Sequence, residues 1–126
     1  MTLLDDNLSL IRAHDASIAT LLEETAAMPC ERLSGGVDTL VVNGKQLTSS
    51  YDRAFESGFQ ADEAPVDATS VTLYGWGLGD VQRVLLEREQ LTQLQVVLLH
   101  PGAIRAGLEH FDQRDWLADP RVELVL

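Results

Sequence analysis

The segment Val71-Thr-Leu-Tyr-Gly-Trp-Gly-Leu-Gly79 is the best guide to how this chain folds. It is a short apolar run that ends in three glycines at alternate positions, and a helix is predicted to follow from Asp80. Glycine accepts positive φ and lets the backbone turn tightly or approach a ligand closely. Many nucleotide-binding sheets begin with this order of strand, glycine loop and helix. Because the G-x-G-x-G spacing is looser than the full dinucleotide fingerprint, the motif indicates the fold more specifically than it indicates a ligand.

The residues after this loop continue the alternation of strand and helix. The predicted elements are strand one at Val71–Tyr74, a helix at about Asp80–Glu89, strand two at Leu94–Leu99, a helix at about Gly102–Phe111 and strand three at Arg121–Leu126. Strand two is mostly apolar, as expected for a parallel strand that is covered on both faces. Right-handed crossovers place the three strands side by side in the order 3-2-1. The predicted fold class is therefore α/β, with a partial Rossmann-like sheet of three parallel strands.

An N-terminal helix and a β-hairpin are predicted ahead of this sheet. Apolar residues recur at helical spacing from about residue 5 to residue 27, and His14 and Asp15 are expected on the solvated face of that helix. Further along, Val37–Val42 and Lys45–Ser49 are β-prone runs that flank Asn43-Gly44. Asn-Gly favours a two-residue type I′ turn, because both central residues of that turn need positive φ.

A second short helix and a linker complete the predicted N-terminal region. The helix runs from Arg53 to about Gln60, with Phe55 and Phe59 one turn apart on one face. The acidic and proline-containing segment after it has the composition of a linker. We therefore divide the chain into an N-terminal subdomain at 1–62, a linker at 63–70 and a βαβαβ half-domain at 71–126.

Composition excludes several classes of function. The net charge is −11 and no basic stripe is present, so nucleic acid is not expected as a partner. No apolar run approaches the roughly 20 residues that span a bilayer, so no membrane partner is expected. Asp5 and Asp6 stand where a signal peptide needs positive charge, and the single cysteine, Cys30, suits a reducing compartment. These features predict a cytoplasmic protein.

A ligand of this sheet would bind at the carboxyl ends of the strands, beside the glycine loop. The candidate binding residues there are Gly75, Trp76, Gly77, Leu78, Gly79 and His100. Backbone N–H groups at a helix start suit an anion, and Trp76 could stack on a base. However, Asp80 puts negative charge where a phosphate would sit, and His100 stands where nucleotide binders commonly carry an acid for the ribose. We therefore expect no cofactor to bind tightly; the alternative is that the glycines only let strand and helix pack closely.

No metal or catalytic constellation is visible in the sequence. The histidines His14, His100 and His110 lie far apart without a paired ligand pattern, so no metal site is expected. His100 is either a general base or phosphate contact, or simply the residue that ends strand two. Glu87, Arg88 and Glu89 are expected to be exposed helix charges.

Three segments taken together resemble the motility accessory factor family. They are Ser49-Ser-Tyr-Asp-Arg-Ala-Phe-Glu56, Leu73-Tyr-Gly-Trp-Gly-Leu-Gly79 and Asp119-Pro-Arg-Val-Glu-Leu-Val125. Their order is similar to that in this family, which is related to the archaeal 6-hydroxymethylpterin diphosphokinase-like proteins, and the resemblance covers about residues 37–126. By resemblance, the glycine turn of the family corresponds to Gly75, Gly77 and Gly79, and its upstream motif to Tyr51, Asp52 and Glu56.

The resemblance implies a Rossmann-like domain preceded by a small β-containing region. Larger family members are implicated in flagellin glycosylation with nonulosonic acids and have a central domain similar to sialyltransferases, while the archaeal relatives transfer diphosphate to a pterin. Two residues depart from the family pattern. Arg53 stands where the family favours proline, and His100 stands where it favours glutamate before Pro101. The second departure argues against ribose or nucleotide contacts.

Three functional hypotheses follow. The first is an N-terminal portion of a motility-accessory-factor-like protein that is not catalytic alone. The second is a self-contained nucleotide- or adenosylmethionine-binding, methyltransferase-like domain, and the third is a non-catalytic interaction module. The chain stops on the apolar strand Val122-Glu-Leu-Val-Leu126, and an open strand edge needs a cover. We expect that cover to be the remainder of a longer chain or a second copy that binds through the sheet edge.

Overall fold

The structure is a computed structural model that describes residues 2–33, 39–42, 45–46 and 60–126, and it describes side-chain packing for 2–30 and 60–126. Its helices are α1 Leu3–His14, α2 Ala16–Glu24, α3 Asp80–Leu86, α4 Pro101–His110 and α5 Arg114–Leu117. Its strands are β1 Cys30–Leu33, β2 Thr39–Val42, β3 Lys45–Gln46, β4 Ser70–Tyr74, β5 Gln93–Val97 and β6 Val122–Val125. Within the described ranges, no helix has the length and apolar character needed to cross a bilayer.

Two helices form where the sequence predicted one, so that prediction is wrong. Asp15 interrupts the helix with an extended backbone, and its carboxylate accepts the N–H groups of Ser17 and Ile18 as the N-cap of α2. His14 is half-buried instead of solvated, because its Nε2 hydrogen-bonds to the Leu117 carbonyl. In a continuous helix these N–H groups would donate to backbone carbonyls one turn earlier. Here they donate to the Asp15 carboxylate, so the first helix ends and a second begins.

The predicted β-hairpin is confirmed, within a sheet that has one more strand than expected. β2 and β3 pair antiparallel with Val42 opposite Lys45, while Asn43 and Gly44 lie outside the described residues. β1 also pairs antiparallel with β2, and the sequence analysis did not predict this strand. Cys30 begins β1, is half-buried, and has its Sγ 3.5 Å from Nε2 of His110. The predicted helix at Arg53–Gln60 lies outside the described residues except for Gln60.

The second sheet confirms the predicted α/β class and strand order. It is parallel, with β5 between β4 and β6, and Leu94 lies opposite Val71 on one side and Val122 on the other. The two crossovers run through α3 and α4. α3 ends at Leu86, earlier than predicted, and Arg88 lies beyond it.

Arg88 is therefore not an exposed helix charge, which corrects that prediction. Its guanidinium donates hydrogen bonds to the backbone carbonyls of Ala61, Ala64 and Pro65. Arg121 extends the same arrangement, since it donates to the carbonyls of Leu86, Arg88 and Leu91. These two side chains fasten the segment before β4, and the turn after α3, to the amino-terminal end of the sheet.

One face of the parallel sheet is covered by helices in the described part of the chain, not both faces as predicted for strand two. The covered inner face carries Val71, Leu73, Leu94, Val96, Leu98, Val122 and Leu124. These residues share one core cluster with side chains from each of the five described helices, including Ile11, Leu22, Leu85, Leu108 and Trp116. Both crossover helices lie on this side because successive right-handed crossovers in one direction place their helices on the same face. The N-terminal helices thus share a core with residues 71–126, and the division into 1–62, 63–70 and 71–126 stays a prediction.

Candidate functional site at the glycine turn

The turn after β4 has the left-handed backbone that its glycines predict. Gly75, Gly77 and Gly79 have φ of 97°, 58° and 90°, all in the region that disfavours a side chain. The Gly75 N–H still donates to the Val97 carbonyl, 3.0 Å away, so the turn begins in register with the parallel sheet. Gly79 is the N-cap of α3 and offers no side-chain cap. The turn therefore sits at the carboxyl ends of β4 and β5, where a ligand site was predicted.

The third glycine is required by packing as well as by φ. A Cβ on Gly79 would lie 2.4 Å from Nε1 of Trp116, whereas a Cβ on Gly77 would meet nothing within 4 Å. The backbone of the turn therefore rests directly on the Trp116 indole. This contact supports the alternative reading of the motif, in which a glycine allows close packing of neighbouring elements.

Trp76 points into the core. Its side chain is 4% exposed and packs edge-on against Trp116, with ring centroids 4.9 Å apart. Its Nε1 donates to Oε1 of Gln113 at 2.7 Å, and Nε1 of Trp116 donates to the same oxygen at 3.2 Å. Little of the ring is left for a base to stack on. Trp76 thus anchors the turn to the helices below it.

Two buried polar side chains that the sequence analysis did not single out organise this region. Gln113 is fully buried and accepts both indole N–H groups, while its backbone N–H donates to Oδ1 of Asn7. Asn7 is also fully buried, and its amide donates to the carbonyls of Leu108 and Phe111 at the end of α4. Asn7 lies more than 100 residues away from these partners, and no local pattern marks it. The network joins α1, the end of α4 and the glycine turn.

The negative charge of Asp80 at the start of α3 is paired. Nη1 of Arg83 lies 3.1 Å from the Asp80 carboxylate and 3.1 Å from the Leu78 carbonyl. The same guanidinium bonds Asp115 through Nε at 2.7 Å. The ion pair reduces the repulsion that Asp80 was expected to exert on an anion. It also ties the turn to α5.

A shallow cavity of about 150 Å³ opens beside the turn. It is lined by Gly75, Trp76, Gly77, Leu99, His100, Ala103 and Ile104, and its wall is mostly apolar. His100 is exposed at the N-cap of α4, and Pro101 follows it at the first helical position, where it offers no N–H. None of the described residues that line the cavity carries a carboxylate. The cavity suits a small apolar or planar group better than a phosphate.

The structure brings together part of the predicted site. Gly75, Trp76, Gly77 and His100 line the cavity, whereas Leu78 and Gly79 are buried beneath the turn and do not line it. Tyr51, Asp52 and Glu56 lie outside the described residues. Within the ranges that the structure describes, no group of three or more His, Cys, Asp or Glu side chains is arranged to hold a metal ion. Ligand binding by these residues stays a prediction.

Comparison with known proteins identifies a structural relationship. No protein-family model matches the sequence, and no curated protein matches it. Among solved structures, the chain is similar to a MAf glycosyltransferase from Magnetospirillum magneticum AMB-1, with a TM-score of 0.67 and 14% sequence identity. The match covers 98% of this chain and 27% of that chain, so this chain spans about a quarter of that protein's length. At this identity the comparison shows a shared fold.

Proposed function

We propose that this chain forms the N-terminal Rossmann-like portion of a motility-accessory-factor-like glycosyltransferase. The observation that carries the proposal is the fold shared with a MAf glycosyltransferase over 98% of the chain. The resemblance of three sequence segments to the same family is an independent support, since it rests on residues and not on shape. The glycine turn at the carboxyl ends of β4 and β5 is where such a fold presents a ligand site.

The chain is not catalytic alone under this proposal. Among the described residues that line the cavity, His100 is the one titratable side chain, and none of the others is an acid or second base that could share a proton transfer. Glycosyl transfer also needs donors or cations that stabilise the leaving group, and the wall here is mostly apolar. The catalytic groups would come from polypeptide outside this region, as the 27% coverage of the similar glycosyltransferase allows.

The other two hypotheses are weaker. A self-contained nucleotide- or adenosylmethionine-binding domain would need an acidic contact for the ribose, and His100 stands at that position. A non-catalytic interaction module has one observation in its favour, the face of the parallel sheet that the described helices do not cover. It is compatible with the first proposal if the partner is the rest of a transferase.

The functional test is the mass of flagellin in the source organism. We expect that deletion of the gene encoding this chain lowers the intact mass of flagellin by the mass of its nonulosonic acid glycans, and that a plasmid copy restores it. Intact-protein mass spectrometry measures this directly. Unchanged flagellin mass in the deletion strain would contradict the proposal.

The chain alone is predicted to bind CMP, ATP and adenosylmethionine weakly or not at all. The sequence contains two tryptophans, and both lie at the glycine turn, so intrinsic fluorescence reports a ligand there. Titration calorimetry gives the affinity independently. A dissociation constant in the low micromolar range, about −8 kcal/mol, is too favourable for a site that needs further polypeptide and would support the self-contained enzyme instead.

A further inference from the structure

The outer face of the parallel sheet carries three rows of side chains with a gradient from polar to apolar. The rows follow from the register: Ser70 lies beside Gln93, then Thr72 beside Gln95 and Glu123, and last Tyr74 beside Val97 and Val125. The apolar row is at the carboxyl ends of the strands, where Tyr74 is 72% exposed. Leu99, 50% exposed, extends this apolar region towards the cavity.

The polar rows are held in fixed positions by hydrogen bonds. Thr72 donates to Oε1 of Gln95 at 3.0 Å, and both Gln93 and Gln95 donate to one carboxylate oxygen of Glu123, at 2.6 Å and 3.3 Å. Among the side chains that β4, β5 and β6 present on this face, Glu123 is the one with a formal charge. The face is thus an ordered surface, acidic and polar at one end and apolar at the other.

The dimensions of this face fit one helix. Three strands about 4.8 Å apart make a surface about 10 Å wide, which is about the diameter of an α-helix with its side chains. Two residues along a strand span about 6.6 Å, so the three rows cover about 13 Å, or roughly nine helical residues. A crossover helix runs antiparallel to the strands, so its last turn would lie over the polar rows. Basic residues are favoured in that turn by the helix dipole and by Glu123.

Charge and chain length indicate what covers the face. A second copy of this chain also carries a net charge of −11 and would be repelled, whereas a segment with basic residues would be attracted. In the glycosyltransferase that shares the fold, this region is 27% of the chain, so most of that polypeptide lies outside it. The described helices of this chain all pack on the inner face of the sheet.

We propose that the outer face docks one amphipathic helix from the remaining polypeptide of a motility-accessory-factor-like protein, apolar over Tyr74, Val97 and Val125 and basic over Glu123. The inference rests on the proposed function for the source of the helix. The sequence analysis expected contact through the open edge of the sheet. The proposed main contact surface is instead the outer face of the sheet.

The test uses stapled 16-residue helical peptides with apolar residues on one face of the first two turns and two lysines in the last turn. Fluorescence anisotropy measures affinity, and amide chemical shifts of the ¹⁵N-labelled chain locate the peptide. We expect a dissociation constant below about 1 mM, with shifts confined to β4, β5 and β6. A scrambled peptide of the same composition should bind at least about tenfold more weakly, because it has no continuous apolar face.

Variants of the chain provide matched controls. Val97→Lys should weaken peptide binding at least about tenfold, since it buries a charge in the apolar row. Val66→Lys makes the same change at a valine that is 77% exposed and belongs to none of the three strands, and it should leave the affinity unchanged. Glu123→Gln should remove most of the salt dependence of binding. Val125→Lys repeats the first test if Val97→Lys fails to fold by circular dichroism.

Several results would overturn the inference. These are no binding at 1 mM peptide, equal binding of the scrambled peptide, shifts on another surface, or equal effects of Val97→Lys and Val66→Lys. Sedimentation of the chain as a dimer that Val97→Lys dissociates would show that a second copy occupies the face. Flagellin mass is a separate readout: if the deletion leaves it unchanged while the peptide binds the face, the docking surface stands and the glycosylation role fails.

Discussion

At the scale of single residues, the glycine turn shows two different reasons for the same residue type. Gly77 needs only a left-handed backbone, because space is open around it. Gly79 needs a left-handed backbone and also the absence of a side chain, because the Trp116 indole lies against it. The sequence pattern cannot separate these cases, since Trp116 comes from a distant segment of the chain.

The matched pair Gly77→Ala and Gly79→Ala tests this distinction. Gly77→Ala should lower the free energy of unfolding by about 1 kcal/mol, the cost of a Cβ in the left-handed region. Gly79→Ala should cost about 3 kcal/mol or more, because Trp116 must also move and its bond to Gln113 is strained. Urea unfolding followed by tryptophan fluorescence measures both values. Equal losses in the two variants would show that Trp116 does not constrain the turn.

At the scale of elements, Arg105 joins two helices that are distant in sequence. From α4 its guanidinium donates to the carbonyls of Leu22, Glu23 and Thr25 at the end of α2, and it also pairs with Glu109. The last carbonyls of a helix have no partner within the helix, and a cation there also interacts favourably with the helix dipole. Arg105 thus caps α2 and fixes it against α4.

Replacement of Arg105 by methionine keeps an unbranched apolar stem and removes the charge and the donors. Because hydrogen bonds from charged groups contribute about 1.5 to 3 kcal/mol, we expect Arg105→Met to lower the free energy of unfolding by about 2 kcal/mol. Arg12→Met is the control, since Arg12 forms an exposed pair with Glu23 and such pairs contribute about 0 to 1 kcal/mol. Denaturant midpoints of the two variants decide the comparison, and a larger loss for Arg12→Met would refute the capping role.

At the scale of the whole molecule, several aspartates are ionised more easily in the folded chain than in the unfolded one. Side-chain hydrogen bonds from Arg114 lower the pKa of Asp112 from 3.8 to about 2, and those from Arg121 lower the pKa of Asp119. A backbone hydrogen bond at Thr2 lowers the pKa of Asp5, and the Ser17 hydroxyl lowers that of Asp15. Below about pH 4 the unfolded chain therefore binds protons that the folded chain does not.

This difference predicts loss of stability in acid. The contribution is fully present above the unfolded pKa of 3.8 and is lost as the pH falls through the folded values, which for Asp112 means to about pH 2. Asp119→Asn removes one such group, so it should destabilise the chain at pH 6 and have a progressively smaller effect at pH 4, 3 and 2. Urea unfolding at these pH values gives the comparison with the unsubstituted chain. A difference that stays constant down to pH 2 would contradict the assignment.

Local patterns were sufficient to predict the β-hairpin, the three parallel strands with their order, and the glycine turn. These features depend on residues that are close together in the sequence. The signals are the apolar runs, the Asn43-Gly44 pair and the glycines at 75, 77 and 79, and each favours particular φ and ψ angles at its own position. The sequence analysis did not predict the break at Asp15, because the apolar spacing alone favours a continuous helix. The Asp15 carboxylate instead caps a second helix. Strand β1 was not predicted either, because it forms by pairing with β2, a strand from a later segment of the chain.

Only the tertiary structure decided what the glycine turn rests on and which face of the sheet the described helices cover. Trp76 belongs to the core because Gln113 and Trp116, which follow it far along the chain, bond and contact it there. The outer face is uncovered by the described helices because the handedness of two crossovers places them on the same side, a property of the chain path and not of any residue. The burial of a side chain and its hydrogen-bond partners depend on segments that are distant in sequence and pack together. The local residue spacing that predicts strands, turns and helices therefore does not reveal them.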